Sequence, residues 1–179
     1  IDTGLAVLGG TQAFYFPEEI KTGELPRAYP RAAFPGWLVA GSVPRIGSTK
    51  ALVNAVREQV ELEPRAMERL RRLGEIALEA AELLEEREPE RVISETARKS
   101  EEAQELLRGF GLSHPEVEEA LSAGRDAGAS GGKISGAGGG GAFYLVCRNG
   151  TEAERVFRAV GSVIGEEHLV TIPPQQIAE

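Results

Sequence analysis

Seven of the eleven residues in the stretch "GGKISGAGGGG" (131–141) are glycine, and the apolar run "AFYLVC" comes directly after it. Glycine loses more backbone freedom on folding than any other residue. So dense a cluster beside a strand-like run has to answer to geometry. A flexible linker is one reading, and the context speaks against it, because the segment stands between a helical stretch and two closely spaced strand-like runs. A structural turn is the second, with residues at positive φ or a backbone that is approached closely. The third is a loop of bare N–H groups that meets an anionic group. The spacing is not the G-x-x-x-x-G-K-[ST] of the P-loop. Nor does the segment join a strand to a helix, as a dinucleotide-binding turn does.

Periodicity sorts the elements around it. "TQAFYF" (11–16) and "GWLVAGSV" (36–43) are short, aromatic or branched, and bounded by Gly and Pro, as strands are. From Ser48 the period becomes helical: Leu52, Val53, Val56 and Val60 share a face, with Ser48 or Thr49 as N-cap. Pro64 and Pro89 open two further helices. The first has an expected buried stripe of Met67, Leu70, Ala77, Ala81 and Leu84; the second has Val92, Ile93, Thr96, Ala103, Leu106 and Leu107, and ends at Gly109–Gly111. Ser113 is the expected cap of a fourth helix that runs to about Arg125. Strands at 133–135 and 142–147, a helix over 151–163 and a strand at 168–172 complete the order. Strands, four helices, then strand–strand–helix–strand predict an α+β fold: an antiparallel sheet with helices packed on one face.

Composition excludes several classes. A chain of 179 residues, 41% of them hydrophobic, can bury a core without disulfides or metals. Its net charge of −8 argues against a nonspecific nucleic-acid binder. No run approaches the roughly 20 apolar residues that span a bilayer, and no signal-peptide pattern opens the chain, so no membrane partner is expected. The single cysteine, Cys147, points to a reducing compartment and a cytoplasmic location. His114 and His168 have no metal-ligand spacing, and no metal ligand is assigned.

The motifs carry a resemblance. "KISGAGGGG" (133–141) resembles the third motif of the kinase superfamily that includes galactokinase, homoserine kinase, mevalonate kinase and phosphomevalonate kinase. "GLSHPEVEEALSAGRDAGASGGK" (111–133) resembles the helix and lead-in of the mevalonate kinases, and "VPRIGSTKALVNAVRE" (43–58) their V-P-R-N-T-R-A-L-V segment. "IDTGLAVLGG" (1–10) resembles the residues next after Ser-Gly in their S-G-[IV]-D motif. The resemblance implies a ferredoxin-like C-terminal kinase domain over 44–179, with 1–43 as the end of the N-terminal domain. It implies ATP-dependent phosphorylation of a small-molecule alcohol, mevalonate first and phosphomevalonate as a close alternative. ATP and Mg²⁺ would be bound mainly by an N-terminal part, since the family's nucleotide loop does not occur in these residues; the chain is therefore expected to be a portion, inactive alone, that needs the rest of the kinase as partner. A non-catalytic α+β module is the alternative from another class, and oligomeric state is left open, a homodimer included.

The resemblance also assigns residues. It puts Asp2 on the catalytic aspartate, which accepts or orients the substrate hydroxyl proton. Without it, Asp2 reads as a turn or cap residue. "VPRIGST" is longer than the family pattern, with three residues between Arg45 and Thr49 where V-P-R-N-T has one, which leaves open whether Ser48 or Thr49 takes the threonine position. Either hydroxyl can meet substrate, and either can cap the helix. Arg45 can grip a phosphate or carboxylate through its fork, or form a surface ion pair. Ser135 and Ala137 are expected to face substrate, and Gly136, Gly138, Gly139 and Gly140 to support the nucleotide phosphate loop. Lys133 reads as a strand-end charge.

Overall fold

Tertiary contacts decide which of the strand-like runs become neighbours. The computed structural model describes Phe14–Tyr15, Arg27–Ala28 and residues 33–174. The two dipeptides pair antiparallel as β1 and β2. Then come β3 (Trp37–Val43), α1 (Thr49–Leu62), α2 (Pro64–Glu82), a 3₁₀ turn (Leu83–Glu85), α3 (Pro89–Gly109) and α4 (Pro115–Asp126). After them stand β4 (Gly131–Ile134), β5 (Gly141–Cys147), α5 (Gly150–Ile164), a 3₁₀ turn (Glu166–His168) and β6 (Leu169–Ile172).

The four later strands make one sheet in the order β4-β5-β3-β6, and every neighbouring pair is antiparallel. Counted from β3, this is the 2-3-1-4 order of a ferredoxin-like split βαβ. α1 to α4 form the first crossover and α5 the second. The expected α+β architecture is what the chain adopts. One boundary moves: β3 lies in the 1–43 stretch assigned to the N-terminal domain, yet it is the inner strand that bonds both β5 and β6. A division after residue 43 would cut the sheet, so the sheet domain starts ahead of Trp37.

The two-residue period of the strands sorts their side chains. Val39, Val43, Ile134, Phe143, Leu145 and Cys147 lie in the main core with Val117, Ala120 and Leu121 of α4 and Val156 and Val160 of α5. Burial pushes the Cys147 thiol up to about 12, so it is a core group and not a nucleophile. The other face carries Leu38, Tyr144 and Val146, which meet Ile93 and Ala97 of α3 in a smaller cluster.

An open β4 edge would expose unpaired backbone groups. α3 closes it with side chains. Gly132 N–H donates to Glu101 Oε1 at 2.9 Å, and Ile134 N–H donates to Gln104 Oε1 at 2.9 Å. Two residues one helical turn apart thus take the place of a fifth strand.

Helix starts obey local chemistry. Ser48 is the N-cap of α1, accepting from Ala51 N–H at 3.2 Å, and Pro64, Pro89 and Pro115 stand in first turns. Asn149 caps α5 by accepting from Glu152 N–H at 2.9 Å. Two expectations fail. His114, not Ser113, occupies the cap position of α4, because the Ser113 hydroxyl is spent on the Glu118 carboxylate. In α2 the buried residues are Ala66 and Ile76, while Met67 and Leu70 are each 43% exposed. Close packing chose the small Ala66 as the contact, which turns the helix away from its two large side chains.

Candidate active site

The glycine loop departs from β4 and returns into β5. Gly136, Gly138, Gly139, Gly140 and Gly141 all have positive φ, between 67° and 96°, a region that side chains other than glycine enter at a cost. Two backbone bonds clamp the loop within its own domain. Ile46 N–H donates to Gly139 O at 2.6 Å, and Gly139 N–H donates to Leu112 O at 2.8 Å. A Cβ on Gly138 would stand 2.4 Å from Leu112 O, and one on Gly140 would stand 2.3 Å from Pro44 O. Their bareness is therefore required by the 44–46 segment and the turn after α3. Gly136 differs: it is exposed, and the nearest atom to a Cβ there is Arg45 Nη2 at 3.8 Å.

The clamp gathers the residues singled out from the sequence. Arg45 stands just past the end of β3, and its Nη1 donates to Thr49 Oγ1 at 3.2 Å. Thr49 opens α1, one residue after the cap. The Ser48 hydroxyl is engaged by Ala51 N–H, whereas the Thr49 hydroxyl is exposed beside the guanidinium. Ser135 is exposed at the end of β4, with its N–H donating to Ala142 O at 2.8 Å, and Ala137 is half-buried. Arg45, Thr49 and Gly136 thus share one side of the loop, where a guanidinium and a bare backbone turn can meet an anionic group. Asp2 lies outside the described residues.

Gln104 escaped the sequence reading. It is fully buried, and besides accepting from Ile134 its Nε2 donates to Ser113 Oγ at 3.1 Å and Glu118 Oε1 at 2.7 Å. It ties the strand that enters the loop to the turn that clamps it. The one available signal was a polar residue beside Ala103 on a face already carrying Ala97 and Ser100.

Lys133, read from the sequence as a strand-end charge, lies within β4 and is half-buried, with Nζ donating to Ile134 O at 2.5 Å and 5.6 Å from the centre of the Tyr144 ring. Burial pulls its pKa below the usual lysine range. Among the described residues no group of three His, Cys, Asp or Glu side chains is placed to hold a metal ion. No helix among them is long and apolar enough to cross a membrane.

Comparison with known proteins gives this geometry a context. The mevalonate kinase of Thermococcus onnurineus is 38% identical over 111 residues, which are 61% of this chain and 33% of that protein. The Pyrococcus horikoshii mevalonate kinase is 35% identical over the same length. The aligned stretch is thus about a third of the length of these relatives. Among solved structures, the L. major mevalonate kinase in complex with R-mevalonate superposes with a TM-score of 0.79 at 21% identity, covering 98% of this chain and 53% of that one. The Streptococcus pneumoniae phosphomevalonate kinase, in complex with phosphomevalonate and AMPPNP, gives 0.66 at 15% identity, covering 89% and 44%. At such identities the likeness is one of fold. A family model described as "GHMP kinases C terminal" matches residues 65–164, more than half of the chain. The chain belongs to the GHMP kinase family and carries its C-terminal domain.

Proposed function

We propose that this chain is the C-terminal portion of an ATP-dependent kinase that phosphorylates the hydroxyl of mevalonate. The reading rests most on the 35–38% identity to mevalonate kinases over a stretch of 111 residues. The arrangement of Arg45, Thr49 and Gly136 on one side of the clamped loop supports it. ATP would supply the phosphoryl group, held mainly by an N-terminal part of the protein. On this reading Asp2 takes the proton of the acceptor hydroxyl or orients that hydroxyl, the contribution that attack by a neutral alcohol needs. Thr49 bonds the acceptor, and Arg45 fixes a phosphate or carboxylate oxygen while it holds Thr49 in place. Ser48 stays a helix cap. Gly138, Gly139 and Gly140 keep the loop in shape against Pro44, Ile46 and Leu112, and Gly136 is where the backbone approaches the ligand. Mg²⁺ would be held with ATP, mainly by the N-terminal part.

The test is a substrate screen on the complete gene product. ADP release is monitored with mevalonate, phosphomevalonate, homoserine and galactose in turn. A kcat/KM for mevalonate at least a hundredfold above the others is expected. Preference for phosphomevalonate would move the substrate one step along, and no turnover with any of the four would favour a non-catalytic module.

A further inference from the structure

Behind the glycine loop, α2 and α3 stand off the sheet and leave a cavity of about 360 Å³. Leu73 and Ile76 of α2 and Ala103 and Leu107 of α3 give it aliphatic walls, and Lys133, Tyr144 and Gly136 line the sheet side. Two lysines reach it, and their situations differ. Lys99 is spent on Glu79, with Nζ 2.5 Å from Oε2, and Glu79 is also held by Arg72 at 2.7 Å. Lys133 has no carboxylate partner among the described residues. One of its three protons goes to Ile134 O, and the other two have no acceptor among those residues. A half-buried ammonium with unused donors is costly unless something negative meets it. The hydroxyls add a donor. Ser100 gives its proton to Thr96 O at 2.7 Å, so the Tyr144 O–H either bonds Ser100 Oγ at 2.9 Å or turns into the cavity.

We infer that this cavity is a binding site for a small aliphatic monocarboxylate, its carboxylate on Lys133 and Tyr144 and its hydrocarbon body between α2 and α3. Charge balance selects the head. Glu79 already neutralises Lys99, so one free cation remains among the described lining residues, which suits a single negative charge better than a phosphate dianion. The aliphatic walls select the body, and the volume falls within the range of small-molecule pockets. The inference does not depend on the proposed kinase reaction, because its test reads binding.

The experiment is calorimetric titration of the complete gene product with 4-methylpentanoate, 4-methylpentan-1-ol and inorganic phosphate. One-to-one binding of 4-methylpentanoate is expected, at least tenfold tighter than the alcohol of the same skeleton and than phosphate. Lys133→Met is expected to weaken it tenfold or more, and Lys133→Arg to retain most of it. No binding of the carboxylate, equal affinity for the alcohol or phosphate, or unchanged affinity in Lys133→Met would overturn the site. Should Lys133→Met fail to fold, the wild-type protein decides: its lysines are reductively methylated with ¹³C, and the Lys133 signal is identified by its loss in Lys133→Arg. That signal shifts on addition of 4-methylpentanoate if the site exists, and an unmoved signal overturns it.

Discussion

Glycines 136 and 140 both have positive φ, for different reasons, and substitution separates them. Gly140→Ala meets Pro44 O at 2.3 Å in addition to the left-handed strain, whereas Gly136→Ala meets only the strain. That strain costs about 1–2 kcal/mol. Denaturant titration is therefore expected to find Gly136→Ala destabilised by about that much and Gly140→Ala by clearly more. Equal losses would refute the clamp. Gln104 supplies a second residue-scale prediction. Gln104→Leu keeps the size but strands the Ile134 N–H and removes the donor to Ser113 Oγ and one of several donors to Glu118. An unsatisfied buried group costs roughly 1–3 kcal/mol, and a drop of at least that size is expected, with faster hydrogen exchange at the Ile134 amide. The glycine cluster announced a turn in the sequence, and positive φ was foreseeable from composition alone. That Gly138 and Gly140 answer to Leu112 and Pro44 was not, because those partners are 26 and 96 residues away in the chain. Lys133 was misread for the same reason: only the docking of α2 and α3 buries it.

At the scale of elements, the seam between α2 and α3 is ionic where the sheet is apolar. Arg72 bonds Glu75, Glu79 and Glu102, and Lys99 bonds Glu79. Arg72 first, and Lys99 after it, hold the Glu79 carboxyl down at about 2. A carboxylate whose folded pKa is depressed stabilises the fold above its ordinary pKa and loses that contribution as pH falls through the folded value. The seam is therefore expected to weaken between about pH 4.5 and pH 2. Amide exchange in α2 measured across that window should accelerate before exchange in β3 and β5 does, and Glu79→Gln should abolish the difference. Exchange that rises uniformly in both elements would contradict this. Element order was readable from periodicity, since strands and helices keep their periods wherever they dock. Rotation of α2 was not, because Met67 and Leu70 outweigh Ala66 in hydrophobicity while the close packing of the helix prefers the smaller residue. The side-chain closure of the β4 edge was hidden too, since Glu101 and Gln104 read as ordinary polar positions of a charged helix.

For the whole molecule, the ferredoxin-like sheet explains how distant stretches come to share a loop. β3 delivers Arg45, α1 presents Thr49, the turn after α3 supplies Leu112, and β4 and β5 bracket the glycines. This convergence, together with the family membership and the mevalonate kinase relatives, supports our central proposal, that the complete protein transfers phosphate to mevalonate with Asp2 engaging the hydroxyl that attacks. The most direct measurement is kcat for mevalonate phosphorylation by the complete gene product and its Asp2→Asn variant, which keeps the shape and removes the charge. Loss of a general base costs roughly 10²–10⁴-fold. The account predicts a fall in kcat of that order, with KM for ATP and the melting temperature nearly unchanged. Turnover in Asp2→Asn equal to wild type would contradict it.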